Sequence, residues 1–198
     1  MRTFFIILVA LSGLAHPAFS QQRWGLAGEI GMASYSGHAA SIDDAPEASG
    51  HPSGLRTWGL RVDRNGERVR FGIGIAIAST GIEFENEDAS AEVKNLLNLV
   101  EISPEVSVVV FRPREAALRL HLGGVIERWS PEGDDSRTSI GGMGAISVEL
   151  PFSSQVGVQV RWQMARTGSM FDGDDLPPEF ERESGNSRRW IVGVRVGL

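Results

Sequence analysis

The stretch from Val69 to Ser79 reads Val-Arg-Phe-Gly-Ile-Gly-Ile-Ala-Ile-Ala-Ser. Val69, Phe71, Ile73, Ile75 and Ile77 share one parity; Arg70, Gly72, Gly74, Ala76 and Ala78 share the other. Alternation with a period of two over this length is a β-strand with one apolar face. The other face carries the constraint. A strand wetted on that side would place Lys, Thr or Glu there, whereas this one offers Gly and Ala after a single Arg. Small side chains suit a crowded interior, so the apolar parity is expected to face lipid and the small parity to face inward.

The same alternation recurs along the chain. Strands are expected at Trp24–Met32, Leu55–Arg64, the stretch above, about Val100–Phe111, Leu118–Glu127, Ser139–Leu150, Val156–Met164 and Arg189–Leu198. Their connections alternate in length. Long polar connections run from Ser36 to Gly54, from Thr80 to about Leu97, from Ser130 to Thr138 and from Arg166 to Ser187. Between them lie tight turns at Asn65-Gly66, expected as a two-residue type I′ turn, at Arg112–Glu115 and at Pro151–Ser154. Ala89 to Leu96 has the composition for one or two helical turns. Pro104, inside the fourth strand, predicts a bulge or edge irregularity, because it has no N–H for the ladder. Val109 and Phe111 fall on the inward parity. The fold class is therefore all-β: an eight-stranded antiparallel up-and-down transmembrane β-barrel, with its long loops at one end and both termini at the other.

The amino terminus carries Arg2, the apolar run Phe4–Leu11 and small residues Ala18 and Ser20 before Gln21. This is the pattern of a secretory signal, expected at residues 1–20, with a barrel domain over 21–198. Its loss removes Arg2 and no acid, taking the formal net charge from −6 to −7. With no Cys anywhere, neither acylation after the signal nor a disulfide is available. No later apolar run is long enough for a spanning helix, and only a closed barrel would then satisfy the backbone in lipid. Basic residues are almost all Arg, Lys94 being the one lysine, and no basic patch points to nucleic acid.

The pattern resembles the small eight-stranded outer-membrane barrels of Gram-negative bacteria, the OmpA/OmpX-like group, over about Trp24 to Leu198. The resemblance implies an outer-membrane location, lipid and lipopolysaccharide as surroundings, and loops facing outward toward an extracellular partner. It also implies a monomer with no cofactor. Such barrels usually end on an aromatic residue, where this chain has Leu198.

The inward parity collects Glu29, Asp63, Glu101, Glu105, Glu127 and Glu149 with Arg61, Arg68, Arg70, Arg119, Arg161, Arg189 and Arg195. Eight strands leave a lumen just wide enough for side chains. An ion-pair plug is therefore expected rather than an open pore, centred on Glu29, Arg61, Arg70, Glu101, Glu105, Arg119, Glu127, Glu149, Arg161 and Arg195. Trp24, Phe71 and Phe152 at the turn end, and Trp58, Trp162 and Trp190 toward the loop end, fall where aromatic girdles belong. The loops are acidic, and Asp172, Asp174 and Asp175 are the candidates for a divalent cation shared with lipid phosphates.

Two other functions remain open. A lipid A-modifying enzyme on the same scaffold would need Ser, His and a carboxylate together; His38 lies near Ser34, Ser36, Ser41 and Asp43, with His51 in the same connection. His121 sits inward among Arg and Glu, where a hydrogen-bonded structural role is expected. A soluble lipocalin-like barrel would invert the faces, enclosing Ile73, Ile75 and Ile77 around an apolar ligand.

Overall fold

The computed structural model describes residues 24–36, 39–41, 48–53, 55–66, 68–86, 90–113, 116–131, 136–170 and 180–198. The segment 1–20 expected as a signal, His38, Asp43 and the loop carboxylates Asp172, Asp174 and Asp175 lie outside them. The described strands are β1 (Trp24–Ser36), β2 (Ala39–Ser41), β3 (Ala48–Pro52), β4 (Leu55–Asn65), β5 (Val69–Asn86), β6 (Ser90–Phe111), β7 (Ala117–Pro131), β8 (Arg137–Pro151), β9 (Val156–Thr167), β10 (Phe180–Arg182) and β11 (Gly185–Gly197).

Eight of these form the wall. β1, β4, β5, β6, β7, β8, β9 and β11 pair in that order, each antiparallel to the next. β11 then returns to β1 from Gly25↔Gly197 to Ser36↔Asn186, which closes the sheet and leaves the wall without an edge.

Closure divides the side chains by parity. Isoleucine, leucine, valine and methionine stand exposed on the outside of the wall, with Ile75 at 50%, Ile140 at 71% and Leu122 at 73% exposure. The opposite parity is buried and largely polar or small. The aromatic side chains Trp24, Phe71, Phe111 and Phe152 are exposed outside toward the turn end, and Trp58 and Trp190 nearer the loop end. Trp162 and Trp190 sit on directly opposed positions of β9 and β11 with ring centroids 6.5 Å apart. Above the apolar belt on the loop side, Arg56, Arg128, Arg166 and Arg188 also point outward and are exposed.

Several local expectations change. The β4–β5 hairpin exists, but its turn is not centred on Asn65-Gly66. Asn65 still pairs with Arg70, and the Gly66 N–H donates to the Val69 carbonyl at 2.9 Å, so the chain reverses beyond Gly66. Asn65 stays in the strand, where its side chain is used inside the barrel, and Arg68 is exposed in the turn rather than inward.

The connections at the other end carry strand structure of their own. β5 and β6 continue past the wall as a hairpin, Ile82↔Val93 to Glu85↔Ser90, after a bulge between Thr80 and Ile82. Residues 90–96 are therefore strand and not helical. Helix propensity loses here because β5 offers a paired edge of alternating Ile82-Glu83-Phe84-Glu85. β3 adds to β5, β2 to β3 and β10 to β2, extending the sheet over the first long connection. At the bulge, Ser53 takes the freed groups: its N–H donates to the Gly81 carbonyl at 3.0 Å, and its hydroxyl accepts from the Gly81 N–H at 3.1 Å.

Pro104 causes no register shift. It faces outward opposite Ile73 of β5, and the β6–β7 register is the same at Ile102↔Ile126 and Glu105↔Gly123 on either side of it. Gly123 makes this possible, since a Cβ there would collide with the Pro104 carbonyl oxygen and the Glu105 backbone. The β6–β7 ladder is interrupted at Ser103 and Pro104 without a shift, and the register shift of β6 lies between Val109 and Phe111, where it turns Phe111 to the outside, 61% exposed.

Two substitutions check which face is which. Ile75→Arg is expected to cost about 2–4 kcal/mol in unfolding of the lipid-reconstituted barrel if that side chain meets hydrocarbon near the midplane. Gly74→Trp is expected to prevent barrel formation, because even a Cβ at Gly74 lies 2.7 Å from Ser103 Oγ and 3.0 Å from Arg61 Nη2. Folding of Gly74→Trp as readily as a loop variant would reverse the assignment.

Candidate functional site

Inward parity brings charged residues from all eight wall strands into one column, which divides into three tiers along the barrel axis. An unpaired charge in such a place is costly, so partners decide the arrangement.

The turn-end tier holds Asp63, Asn65, Arg70, Arg119, Glu149 and Arg195. Arg195 grips Asp63 bidentately at 3.0 and 2.7 Å and also donates to Asn65 Oδ1 at 2.8 Å. Arg70 donates to the same Asn65 oxygen at 2.9 Å and to both Glu149 oxygens at 2.5 and 3.3 Å. Glu149 accepts a further bond from Arg119 Nε at 2.9 Å. Asn65 thus bridges two guanidinium groups, a role its place in a turn dipeptide conceals in the sequence.

The middle tier is centred on Glu105. Arg161 binds both its oxygens at 3.2 and 2.6 Å, and Arg61 Nη1 lies 2.9 Å from Oε1. Arg61 also holds Glu29 through Nε at 2.8 Å, where Gln159 donates a second bond at 3.0 Å. His121 completes the tier, with Nδ1 3.0 Å from Glu105 Oε1 and Nε2 2.8 Å from Ser147 Oγ. A carboxylate only accepts, so Nδ1 donates to Glu105, and in the neutral ring Nε2 accepts from the Ser147 hydroxyl.

At the loop end, Arg189 holds Glu101 at 3.0 and 2.5 Å and donates to the Tyr35 hydroxyl at 3.3 Å. Glu127 lies directly across the ladder from Glu101. It forms no ion pair among the described residues and is served by neutral donors: Thr167 Oγ1 at 3.1 Å, Trp129 Nε1 at 3.2 Å and Ser139 Oγ at 3.4 Å. Over this tier sits an apolar cluster of Ala33, Tyr35, Leu97, Leu99, Trp129 and Met170, in which Tyr35 and Trp129 meet edge to face at 5.5 Å.

All ten residues named for the plug therefore line the interior, joined by Asp63 and Arg189. The cap was missed; its signal is that Leu97 and Leu99 share the parity of Glu101 and that Trp129 shares that of Glu127. A void of about 10 Å³ beside Glu29, Arg61 and Glu101 has room for about one water. A larger cavity, about 570 Å³, opens at the turn end, lined by Arg70, Arg119, Glu149 and Arg195 with Arg112 at its mouth.

Ser147, His121 and Glu105 have the order of a hydrolytic triad. Ser147 is 1% exposed, however, and is absent from the lining of either cavity, so no described space lies beside its hydroxyl for a reacting carbonyl. His51, the other described histidine, sits on β3 with Nδ1 3.1 Å from the Pro52 carbonyl. Among the described residues no group of three His, Asp or Glu side chains is placed to hold a metal ion.

Truncating one member of a buried pair is expected to cost more than removing both. Arg189→Met leaves Glu101 without its bidentate partner and should lower stability by about 3–5 kcal/mol, and Arg189→Met with Glu101→Leu should recover most of that. Urea titration of the refolded barrel checks it; additive losses would show that the pair is not a coupled unit.

No protein-family model matches the chain, and no curated protein sequence matches it. Solved structures do. Neisserial surface protein A superposes with a TM-score of 0.60 at 14% identity, over 88% of this chain and 97% of that one. The outer membrane protein OprG from Pseudomonas aeruginosa superposes with a TM-score of 0.52 at 10% identity, over 88% and 96%. This chain has the fold of the small eight-stranded outer-membrane barrels.

Proposed function

We propose that the protein is a monomeric, integral outer-membrane barrel that serves a structural or surface-interaction role, with its lumen closed by ion pairs and its long loops outward. The observation that carries this reading is the inversion of the usual protein. Aliphatic side chains are exposed around the whole wall, while the interior is filled by guanidinium and carboxylate groups. An exposed apolar surface of that extent needs a hydrocarbon phase to cover it. It also argues against the lipocalin-like alternative, whose interior would have to be apolar.

The loop-side arginines support the orientation and the lipid partner. Arg128 donates twice to Ser136 Oγ, at 3.1 and 2.7 Å, and Arg166 repeats the arrangement with Ser184 at the same distances. Each guanidinium is thereby fixed at the border of the apolar belt, at the level of anionic headgroups such as lipopolysaccharide phosphates.

Membrane fractionation followed by a detergent gel with and without boiling tests the assignment. The protein is expected with the outer membrane and with a heat-dependent mobility; recovery in the soluble fraction without detergent would overturn it. Planar bilayers carrying the protein are expected to show no steady conductance steps, and their appearance would remove the plug.

The Ser147–His121–Glu105 relay supports a second reading, a serine hydrolase. A fluorophosphonate probe is expected to leave Ser147 unlabelled in the folded barrel; labelling that His121→Ala abolishes would establish the enzyme instead.

A further inference from the structure

Acids and arginines are close to balance among the described inward residues as a whole, but the turn-end tier departs from it. The loop-end tier has Glu101 and Glu127 with Arg189, and half-buried Arg137 on the same inward parity opposite Trp129. The middle tier matches Glu29 and Glu105 with Arg61 and Arg161. The turn-end tier has Asp63 and Glu149 against Arg70, Arg119 and Arg195, and the exposed Arg112 stands at its mouth. Among the described residues two positive charges therefore remain uncompensated around one cavity.

One of them is incompletely satisfied. Arg119 is 3% exposed, and only its Nε is used on Glu149; its Nη1 is buried without a hydrogen-bond partner. A buried guanidinium nitrogen left in this state is costly, and Arg119 is one of the residues lining a cavity of about 570 Å³ that is open at the turn end. Arg119 is held in place by Glu149, which Arg70 fixes from the other side, so the donor is preorganised.

We propose that this vestibule binds a phosphomonoester, its phosphate held between the guanidinium groups of Arg119 and Arg112 in the cavity lining. A phosphomonoester carries a charge of about −1.5 to −2 at neutral pH, which matches the two surplus guanidinium charges, whereas a carboxylate would neutralise only one. The cavity is larger than a phosphate, and its wall includes Pro151 and Phe152, so the remainder of the ligand lies against an apolar surface at the mouth. The site is built from the turn end of the barrel alone and stands independently of the membrane in which the barrel resides.

The test uses the full chain refolded in an uncharged detergent and titrated calorimetrically with inorganic phosphate at constant ionic strength, with acetate as the carboxylate arm. Saturable one-to-one phosphate binding is expected, at least tenfold tighter than acetate. Arg119→Gln should weaken it at least tenfold and Arg112→Gln about threefold, while Arg128→Gln at the opposite end leaves it unchanged. Absence of saturable binding overturns the proposal, as does equal affinity for acetate, which would make this a general anion site. Wild-type affinity in Arg112→Gln or Arg119→Gln also overturns it. Should Arg119→Gln not fold, as judged by its unboiled gel mobility, the exposed Arg112→Gln decides the outcome.

Discussion

A side chain enclosed by eight strands exchanges water for its neighbours, and for a charged group that exchange is tolerable only if the neighbours replace what water supplied. The rest of this structure follows from that requirement. The interior must contain acids and bases in near-equal number, and each must reach across the lumen to a partner on another strand. Arginine meets the demand better than lysine, because a planar fork can bind both oxygens of one carboxylate and still reach a second group. Arg61 does this between Glu29 and Glu105, and Arg70 between Glu149 and Asn65. The small residues of β5 are the complement of those long side chains: Gly74 lies under the Arg61 guanidinium, where a Cβ would crowd it.

The column is not uniform along its length. Its loop end is sealed by Trp129, Tyr35, Leu97 and Leu99, and the carboxylate below them, Glu127, depends on hydroxyls and an indole rather than on a cation. Its turn end is open and rich in guanidinium. The barrel therefore carries an internal polarity in which the apolar, sealed end and the basic, accessible end are separated by the Glu105 network. Arg161, at the centre of that network, is 0% exposed.

Most of the wall was legible in the sequence because period-two alternation is a direct consequence of a sheet with two unlike faces. The inward charges were legible for the same reason, since parity alone sorts Glu29 from Ile30 and Arg161 from Trp162. Partner choice was not. Nothing along the chain pairs Arg195 with Asp63, 132 residues away, because the match depends on the register of the seam. The strands above the wall were hidden by composition: an acidic stretch reads as solvated loop, yet alternation continues through Ile82 and Phe84. Asn65-Gly66 misled in the opposite sense. A strong turn dipeptide was overruled because Asn65 gains two charged donors by remaining in the strand.

The seam between β1 and β11 carries one more consequence. Every other wall contact joins strands adjacent in the wall's chain order, so each hairpin can form as soon as its two halves exist. β1 alone must wait for a partner that begins about 150 residues later, and its pairing closes the longest loop in the molecule. Until then two strand edges stand open, with bare N–H and C=O groups in search of a ladder. Assembly of this barrel thus has a built-in final step, and the interval before it is when a chaperone or a catalyst of insertion has an edge to hold.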